Sequence, residues 1–546
     1  MTSWRAGTSA LRSSTGVRRV LVAYAAYSLL EFYVWLVVIL WAYAAGGAGL
    51  AGAAALVQLL PAAALAPALA SVGDRLPRGR ALVLAYAFVA AGAMLTWLAL
   101  ASGGPAWLVL LTATSLTTAI AAARPVHFAA LPALARAEPE QLVSANSMSS
   151  VVDGCTRFLG PVLAGLAVAA RGPATAMAAG AALALLTPLL CLGLHLPALP
   201  DDDEADAPEE SLLRGALAGL AALRGTPAAL VLLLVMSVDF LLTGVIDILG
   251  VAFADGALSE GDAAAGFVVG AMGIGALVGA VAGAALAQRR ALAVVVVGGV
   301  VLEGAMFASA AATERLVGVV LVLAAAGVGG AVTVVAGRTL LQRTTDDRVL
   351  ARVFAVQEST SLLGLALGAL LAPILIDTLG VRGAWVPLGL GVVVLALACL
   401  GLLRSLDREA RWLPLELALL RSVPFVAALP PYGLERLAHQ VRWRSVAAGE
   451  VVVEQGALGD EMFVVGEGEL SAWVAGERRP GTLHERQWFG EIAMLRGAER
   501  TATVVAETPA RLLVVPRGAF LRAAGGDVDQ TALALQASRT YPDLAS

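Results

Sequence analysis

The sequence predicts a mostly α membrane protein, with 12 transmembrane helices in two six-helix bundles, followed by a small soluble β-rich domain. Three observations lead there. Charged residues make up 14% of the chain against 59% hydrophobic, whereas a soluble globular chain carries about 25% charged residues. Apolar runs recur twelve times, centred near residues 31, 60, 91, 113, 155, 184, 240, 275, 301, 328, 365 and 395. Each has the roughly 20 residues that cross a ~30 Å hydrocarbon layer as a helix. After Arg404 the pattern changes: charged residues alternate with β-branched, glycine-punctuated runs, the mark of short strands and turns.

The elements follow in order. Residues 1–16 form a cytoplasmic N-tail and 17–196 the first bundle. Its first apolar run follows Arg18 and Arg19 and is too long and too rich in Trp and Tyr for a cleaved signal peptide. Residues 197–226 read as an acidic cytoplasmic linker. Its start, Pro197 to Glu210, is too acidic to bury itself, and Leu212 to Arg224 has the apolar spacing of an amphipathic helix. The second bundle occupies 227–405, a linker helix 406–423, the soluble domain 424–525 and a tail 526–546. The bundles repeat each other weakly. Arg124, Leu142 to Asn146 and Gly160-Pro161 in the first correspond to Arg338, Leu350 to Phe354 and Ala372-Pro373 in the second. Two such halves around a cytoplasmic linker are a transporter architecture with its cavity between them.

All 37 basic residues are arginine. With the N-terminus cytoplasmic, Arg75, Arg78, Arg80, Arg136, Arg289, Arg290, Arg343, Arg348 and Arg352 fall on the cytoplasmic side, against Arg171, Arg315 and Arg382 opposite. That bias, with an even number of spans, predicts a multi-pass protein of the plasma (inner) membrane with both termini cytoplasmic. Cys155, Cys191 and Cys399 fall in spans and suggest neither a disulfide framework nor a metal cluster. Neither a nucleophile–base pair nor a phosphate-binding loop points to an enzyme, and no Thr-Val-Gly-Tyr-Gly filter points to a channel.

Ionisable residues within spans are costly and default to functional candidates. Glu31 and Asp239 lie at similar depth in the first helices of the two halves, where a carboxylate serves either proton exchange or a cationic substrate. Asp153 and Arg157 are four apart on one helix face, placed to neutralise each other in a structural or a functional pair. Asp247, Glu303 and Glu358 are further carboxylates in the spans, and His127 beside Arg124 reads as interfacial. Glycines 266, 270, 273, 275, 279 and 283 recur every two to four residues in one span, which predicts close helix packing.

In the soluble domain, Pro424 to Leu437 reads as a helical lead-in. Strands are expected at Val451 to Val453, Glu461 to Val465, Gly468 to Val474 and Ala510 to Val515, with turns at glycines 449, 456, 466, 468 and 490.

The loop Gly73-Asp-Arg-Leu-Pro-Arg-Gly-Arg80 resembles the signature loop of the major facilitator superfamily, in its drug- and siderophore-exporter-like branch. The segment from Arg124 through Leu142 to Asn146 and on to Gly160-Pro161 is similar to the same branch. The resemblance implies a gating cluster of Asp74, Arg75, Arg78 and Arg80 that stabilises one access state. Gly79 departs from it, standing where a basic residue is usual.

Phe489 to Val504 resembles the phosphate-binding cassette of the cyclic-nucleotide-binding domain of catabolite activator proteins and kinase regulatory subunits. The resemblance implies a β-roll (jelly-roll-like) fold, with 526–546 as its lid. Glu491 would accept the ribose 2′-hydroxyl and Arg500 pair with the cyclic phosphate, the geometry a carboxylate and a guanidinium suit. Gly490, Ile492 and Ala493 would admit the ligand to the backbone. Thr501 leaves cAMP or cGMP open, and Glu499, in place of the usual proline, adds negative charge beside the phosphate.

Together these imply a secondary active transporter, an exporter of a small organic molecule with proton coupling left open, regulated by cytoplasmic cAMP or cGMP. The alternative is a non-transporting, membrane-anchored cyclic-nucleotide receptor. No tightly bound cofactor, metal or nucleic acid is expected. The expected partners are the lipid bilayer, the nucleotide and the substrate, with monomer or homodimer open.

Overall fold

The computed structural model describes residues 15–74, 77–134, 139–194, 227–286, 291–345, 347–409, 413–427, 429 and 431–523. The N-tail to residue 14, Arg75, Arg136, the acidic linker 197–226, Arg289, Arg290 and the lid 526–546 lie outside the described residues. The chain divides near Ala410 into two compact units.

The first unit is helical. Its helices are α1 (Thr15–Asp74), α2 (Arg78–Ala101), α3 (Ala106–Leu134), α4 (Pro139–Cys191), α5 (Pro227–Ala252), α6 (Gly261–Leu286), α7 (Leu292–Ser309), α8 (Leu316–Thr344), α9 (Asp347–Gly383) and α10 (Trp385–Glu409), with a π-turn at Phe253–Ala257 after α5. An apolar solvent offers the backbone no partner, so a spanning segment must bond to itself, as a helix does. Ten helices among the described residues are long and apolar enough to cross a membrane. Two have about double the necessary length: Arg18–Ala63 has 46 residues and Val151–Cys191 has 41. Each bends at left-handed glycine, α1 at Gly47 (φ +65°) after Gly46 and α4 at Gly172 (φ +78°), where an L side chain would be strained. Large apolar side chains cover the outer surface, among them Phe88, Trp107, Val281, Val317 and Val394, each more than 60% exposed. Apolar surface on that scale marks a lipid or protein interface.

The glycines of α6 pack on two sides. A side chain at Gly266, Gly270 or Gly273 would strike the backbone of α4 at Pro161, Phe158 and Arg157. One at Gly275 or Gly279 would strike α8 at Ala324 and Val328, and Gly283 lies against Val335. One helix therefore meets both halves at near-backbone contact.

The second unit starts with α11 (Pro414–Ser422), α12 (Pro424–Ala427) and α13 (Pro431–Gln440), so the predicted lead-in is broken into short pieces, two beginning at a proline within its range. Strands β1 (Arg442–Val446), β2 (Val451–Val453), β3 (Glu461–Glu467), β4 (Leu470–Val474), β5 (Glu477–Arg478), β6 (Trp488–Phe489), β7 (Thr503–Ala506) and β8 (Ala510–Pro516) follow, with α14 (Glu491–Arg496) before β7 and α15 (Arg517–Ala523) last. They form two antiparallel four-stranded sheets, ordered β1-β8-β3-β6 and β2-β7-β4-β5. Strand β3 is buried on both faces. Phe463 and Val465 join Leu470, Val504 and Leu512 between the sheets, while Met462 and Val464 face Leu420, Leu437 and Phe520 of the helices. The two-residue period of a strand explains the split, and the continuous apolar run Met462 to Val465 meets both requirements.

Candidate nucleotide site and membrane charge clusters

Strand β6 delivers the chain to Gly490, whose φ of +83° turns it into α14. Glu491 opens that helix at 2% exposure, and Arg500 on the returning loop is 8% exposed. Arg500 Nη1 donates to the carbonyl oxygens of Glu461 (2.7 Å) and Gly490 (3.0 Å). Its guanidinium lies 5.7 Å from the Phe463 ring centroid, and that ring stacks on Phe489 at 5.0 Å. Two glycines make the room: a Cβ at Gly459 would strike the Arg500 side chain and Ala493, and one at Gly490 would strike Arg500 Nη1. The turn before β3 is latched to the cassette, with the Gly456 N–H donating to Arg500 O (2.9 Å) and the Arg500 N–H to Ala457 O (2.7 Å).

Burial pushes the Glu491 carboxyl up to about 7, against the pull of its own backbone N–H and of Arg500. Burial also draws the Arg500 guanidinium below its ordinary value, opposed by Asp460, Glu461 and Glu491. A buried carboxylate acceptor at the start of α14 and a buried guanidinium donor on the loop after it thus lie within electrostatic reach of each other, the pair of functions a hydroxyl-bearing phosphodiester would use. Ala493 is buried and Ile492 half-buried, while Glu499 and Thr501 are exposed at the rim.

In the first unit Arg124 on α3 gathers two carboxylates. Its Nη2 meets Glu31 Oε2 at 2.5 Å and its Nη1 meets Asp153 Oδ2 at 3.3 Å. Tyr24 Oη (2.9 Å) and Ser28 Oγ (2.8 Å) donate to Asp153 Oδ1, and Ser28 also bonds Thr156 (2.7 Å). Two negative charges against one positive are eased by these hydroxyl donors. Further along, Trp35 Nε1 donates to Asp247 Oδ2 on α5 at 2.8 Å, a bond between the two halves.

Residues 14–412 match the family described as transmembrane secretion effector, a facilitator family. The chain belongs to the major facilitator superfamily. Residues 443–526 of this facilitator match the cyclic nucleotide-binding domain family. The cAMP-dependent protein kinase regulatory subunit of Schizosaccharomyces pombe is 30% identical over 112 residues, 20% of this chain and 27% of that protein. That of Yarrowia lipolytica is 32% identical over 111 residues, 20% and 30% respectively. The chain therefore spans less than a third of the length of these curated relatives. Among solved structures, the regulatory domain of Toxoplasma gondii PKA with cAMP is 24% identical, covering 26% of this chain and 56% of that one at a TM-score of 0.22. The chain is thus a multi-pass facilitator of a transporter superfamily, carrying a C-terminal cyclic nucleotide-binding domain.

Within the facilitator the expected Asp153–Arg157 pair does not form. Asp153 turns to Arg124, Tyr24 and Ser28, while Arg157 lies over the Phe32 ring at 5.4 Å from its centroid. Sharing a helix face put the two within reach, but a tertiary cation and two hydroxyls served Asp153 better. His127 is fully buried and not interfacial. It stacks on Tyr24 at 4.1 Å and its Nδ1 meets Tyr86 Oη at 3.1 Å. Of the gating loop, Asp74 ends α1, Arg78 begins α2 and Arg80 is exposed in its first turn. Sequence reasoning did not single out Gly459 or Phe463 as pocket residues. Their signal was weak, a glycine in a Gly-Asp turn and one aromatic in an apolar strand.

Proposed function

We propose that the chain is a secondary active exporter of a small organic molecule, proton-coupled, and gated by cAMP at its C-terminal domain. In this reading the two long bent helices each cross the membrane twice, giving twelve crossings in two bundles over 17–196 and 227–405. Both termini are cytoplasmic, in the plasma (inner) membrane, as the arginine asymmetry favours. The observation that carries the regulatory half is the burial of Glu491 at the start of α14 and of the glycine-framed Arg500 on the loop after it, within electrostatic reach of one another. Residues that served only folding would not bury a carboxylate and a guanidinium there at such desolvation cost. The secretion-effector family favours export, and relatives that are cAMP-dependent regulatory subunits favour cAMP over cGMP.

In mechanism, Glu491 accepts a hydrogen bond from the ribose hydroxyl and Arg500 donates to the cyclic phosphate, with Gly490, Ile492, Ala493 and Thr501 lining the approach. Arg500 exchanges a carbonyl partner for the phosphate, which loosens the hold of Gly490 and Glu461 on one another. Residues 406–423 pass the change to the second bundle. For cAMP to shift the access equilibrium it must bind one state better; a tenfold preference is worth about 1.4 kcal/mol. The Arg124 cluster serves the substrate path, with Glu31 and Asp153 as its acidic walls, Arg124 as the cation they share and Arg157, over the Phe32 ring, as a second cation beside it.

Calorimetry on the full chain in nanodiscs with cAMP and cGMP, beside flux in proteoliposomes, tests the reading. The expected result is cAMP binding lost in Arg500→Ala, together with the response of transport to cAMP. Flux that responds to cAMP equally in both proteins would refute the regulation, and nucleotide binding without any flux would favour a receptor.

A further inference from the structure

Asp239 on α5 and Glu303 on α7 meet at Gly330 of α8. A side chain at Gly330 would strike Asp239 Oδ1 and press on Glu303 Oε1, and one at Gly329 would strike the Glu303 backbone. The Gly329-Gly330 pair thus hollows α8 where the two carboxyls come together. Glu303 is fully buried, and neither of its carboxylate oxygens has a hydrogen-bond donor among the described residues. Asp239 is its neighbour within hydrogen-bonding reach and is partly buried. The pair therefore has a less buried outer member and an inner member sealed in the bundle.

The surrounding charges do not neutralise it. On α4, Arg157 is the cation within electrostatic reach of Asp239, and it acts on Asp247 as well. On α1, Glu31 is held by Arg124; on α5, Asp247 is bonded to Trp35. The π-turn carries Asp255 and the first turn of α6 carries Asp262. On α8, Arg338 bonds Gln357 of α9 and Arg343 sits in the last turn; on α9, Glu358 is exposed. On α10, Asp407 accepts from the Ala293 N–H, close to Arg404. Glu303 is the one ionisable residue of α7. Two adjacent carboxylates cannot both be ionised in so apolar a place, and a single proton resolves both difficulties. It removes one charge, and as an O–H it supplies the donor that the other carboxylate lacks.

We propose that Asp239 and Glu303 form a two-carboxyl proton carrier in the second half of the protein, with Asp239 as the outer mouth and Glu303 as the buried store. A second proton from water adds to the remaining carboxylate oxygen, giving two neutral acids; its return to water on the other side restores the singly protonated pair. Occupancy thereby changes the net charge at the junction of α5, α7 and α8, the quantity that a rocking motion of these helices would respond to. The proposal takes its purpose from the transporter reading, but the chemistry of the pair stands apart from it.

The test is infrared spectroscopy of the full chain in lipid bilayers, following the carbonyl stretch of neutral carboxyl groups through a pH titration. The expected result, beside the band of the Glu491 carboxyl that all the variants share, is a neutral-carboxyl component that titrates in the wild type, is lost in Glu303→Gln, and titrates at a pH lower by about one unit or more in Asp239→Asn, where the like charge is gone. Glu303→Asp, which keeps two carboxyls, retains such a component, and Glu358→Gln leaves the wild-type component unchanged. Retained cAMP binding and elution volume would establish that the variants are folded. A wild-type component that survives unchanged in both Glu303→Gln and Asp239→Asn overturns the proposal. Absence of proton-driven flux with the component behaving as expected would count against the transporter reading instead.

Discussion

The Arg500 guanidinium donates to the carbonyl oxygen of Gly490, the residue that caps the helix on which Glu491 stands. The two groups assigned to the ribose hydroxyl and the cyclic phosphate are therefore joined through one backbone bond. Movement of either is felt by the other.

Replacing Arg500 with alanine removes a charge-assisted donor to the phosphate. Hydrogen bonds to charged groups contribute about 1.5–3 kcal/mol each, so two of them correspond to an affinity loss on the order of 100-fold or more. Arg500→Lys keeps the charge but not the fork and falls between the two. Titration calorimetry with cAMP measures both.

The Glu491 carboxyl titrates near 7 without ligand. A folded value raised above the ordinary carboxylate range means that the fold favours the neutral form. The associated stability is present at acid pH and lost as pH rises through about 7. The ionised form is the better acceptor for a ribose hydroxyl, so cAMP affinity is expected to rise over the same interval. Thermal unfolding and calorimetry at about pH 6 and pH 8 check both slopes, and Glu491→Gln should flatten both.

Gly459→Ala would put a methyl group into the Arg500 side chain and Ala493. Overpacking of this kind costs about 1–3 kcal/mol. The domain should stay folded, since the collision is with a side chain end, but nucleotide affinity should drop. Gly476→Ala, where nothing lies within 4 Å of the added atom, tests strain alone, because its φ of +82° already disfavours a side chain.

Arg124→Gln strands Glu31 and Asp153 near each other without their cation. The cluster is partly open, so the loss falls below the ~3–5 kcal/mol of a fully buried pair, at about 2 kcal/mol. Glu31→Gln in the same protein should recover part of it. Unfolding midpoints in lipid nanodiscs, compared as a double-mutant cycle, decide the coupling.

Much of this was legible in composition and period. The apolar runs gave the helices, and short β-branched runs bounded by glycine gave β2, β3, β4 and β8; β3 and β8 are apolar over successive residues because both of their faces are covered. Strand β1, Arg-Trp-Arg-Ser-Val, was hidden by its arginines, which keep their heads in solvent while the strand pairs with β8. Strands β5 and β6 have two residues each, too few for a period to show. The glycine cassette pointed to Glu491 and Arg500, but Gly459 entered only through a turn that folds back on Arg500. Spacing suggested Asp153 with Arg157 since it sees only neighbours on one helix. Arg124 reaches Asp153 from another helix, and Glu303 reaches Asp239 from 64 positions away, as 303 − 239 shows. Such meetings belong to tertiary packing, where local pattern is blind.

The two glycine stripes of α6 have one further consequence. Side chains that interlock across an interface must disengage before the surfaces can slide, and each disengagement is a barrier. Where α6 faces α4, across the two halves, the contact at Gly266, Gly270 and Gly273 is backbone against backbone, whereas its α8 face binds it within its own half. The first stripe is a smooth race between the halves, with no interlocked side chains to lift from their notches at those three positions.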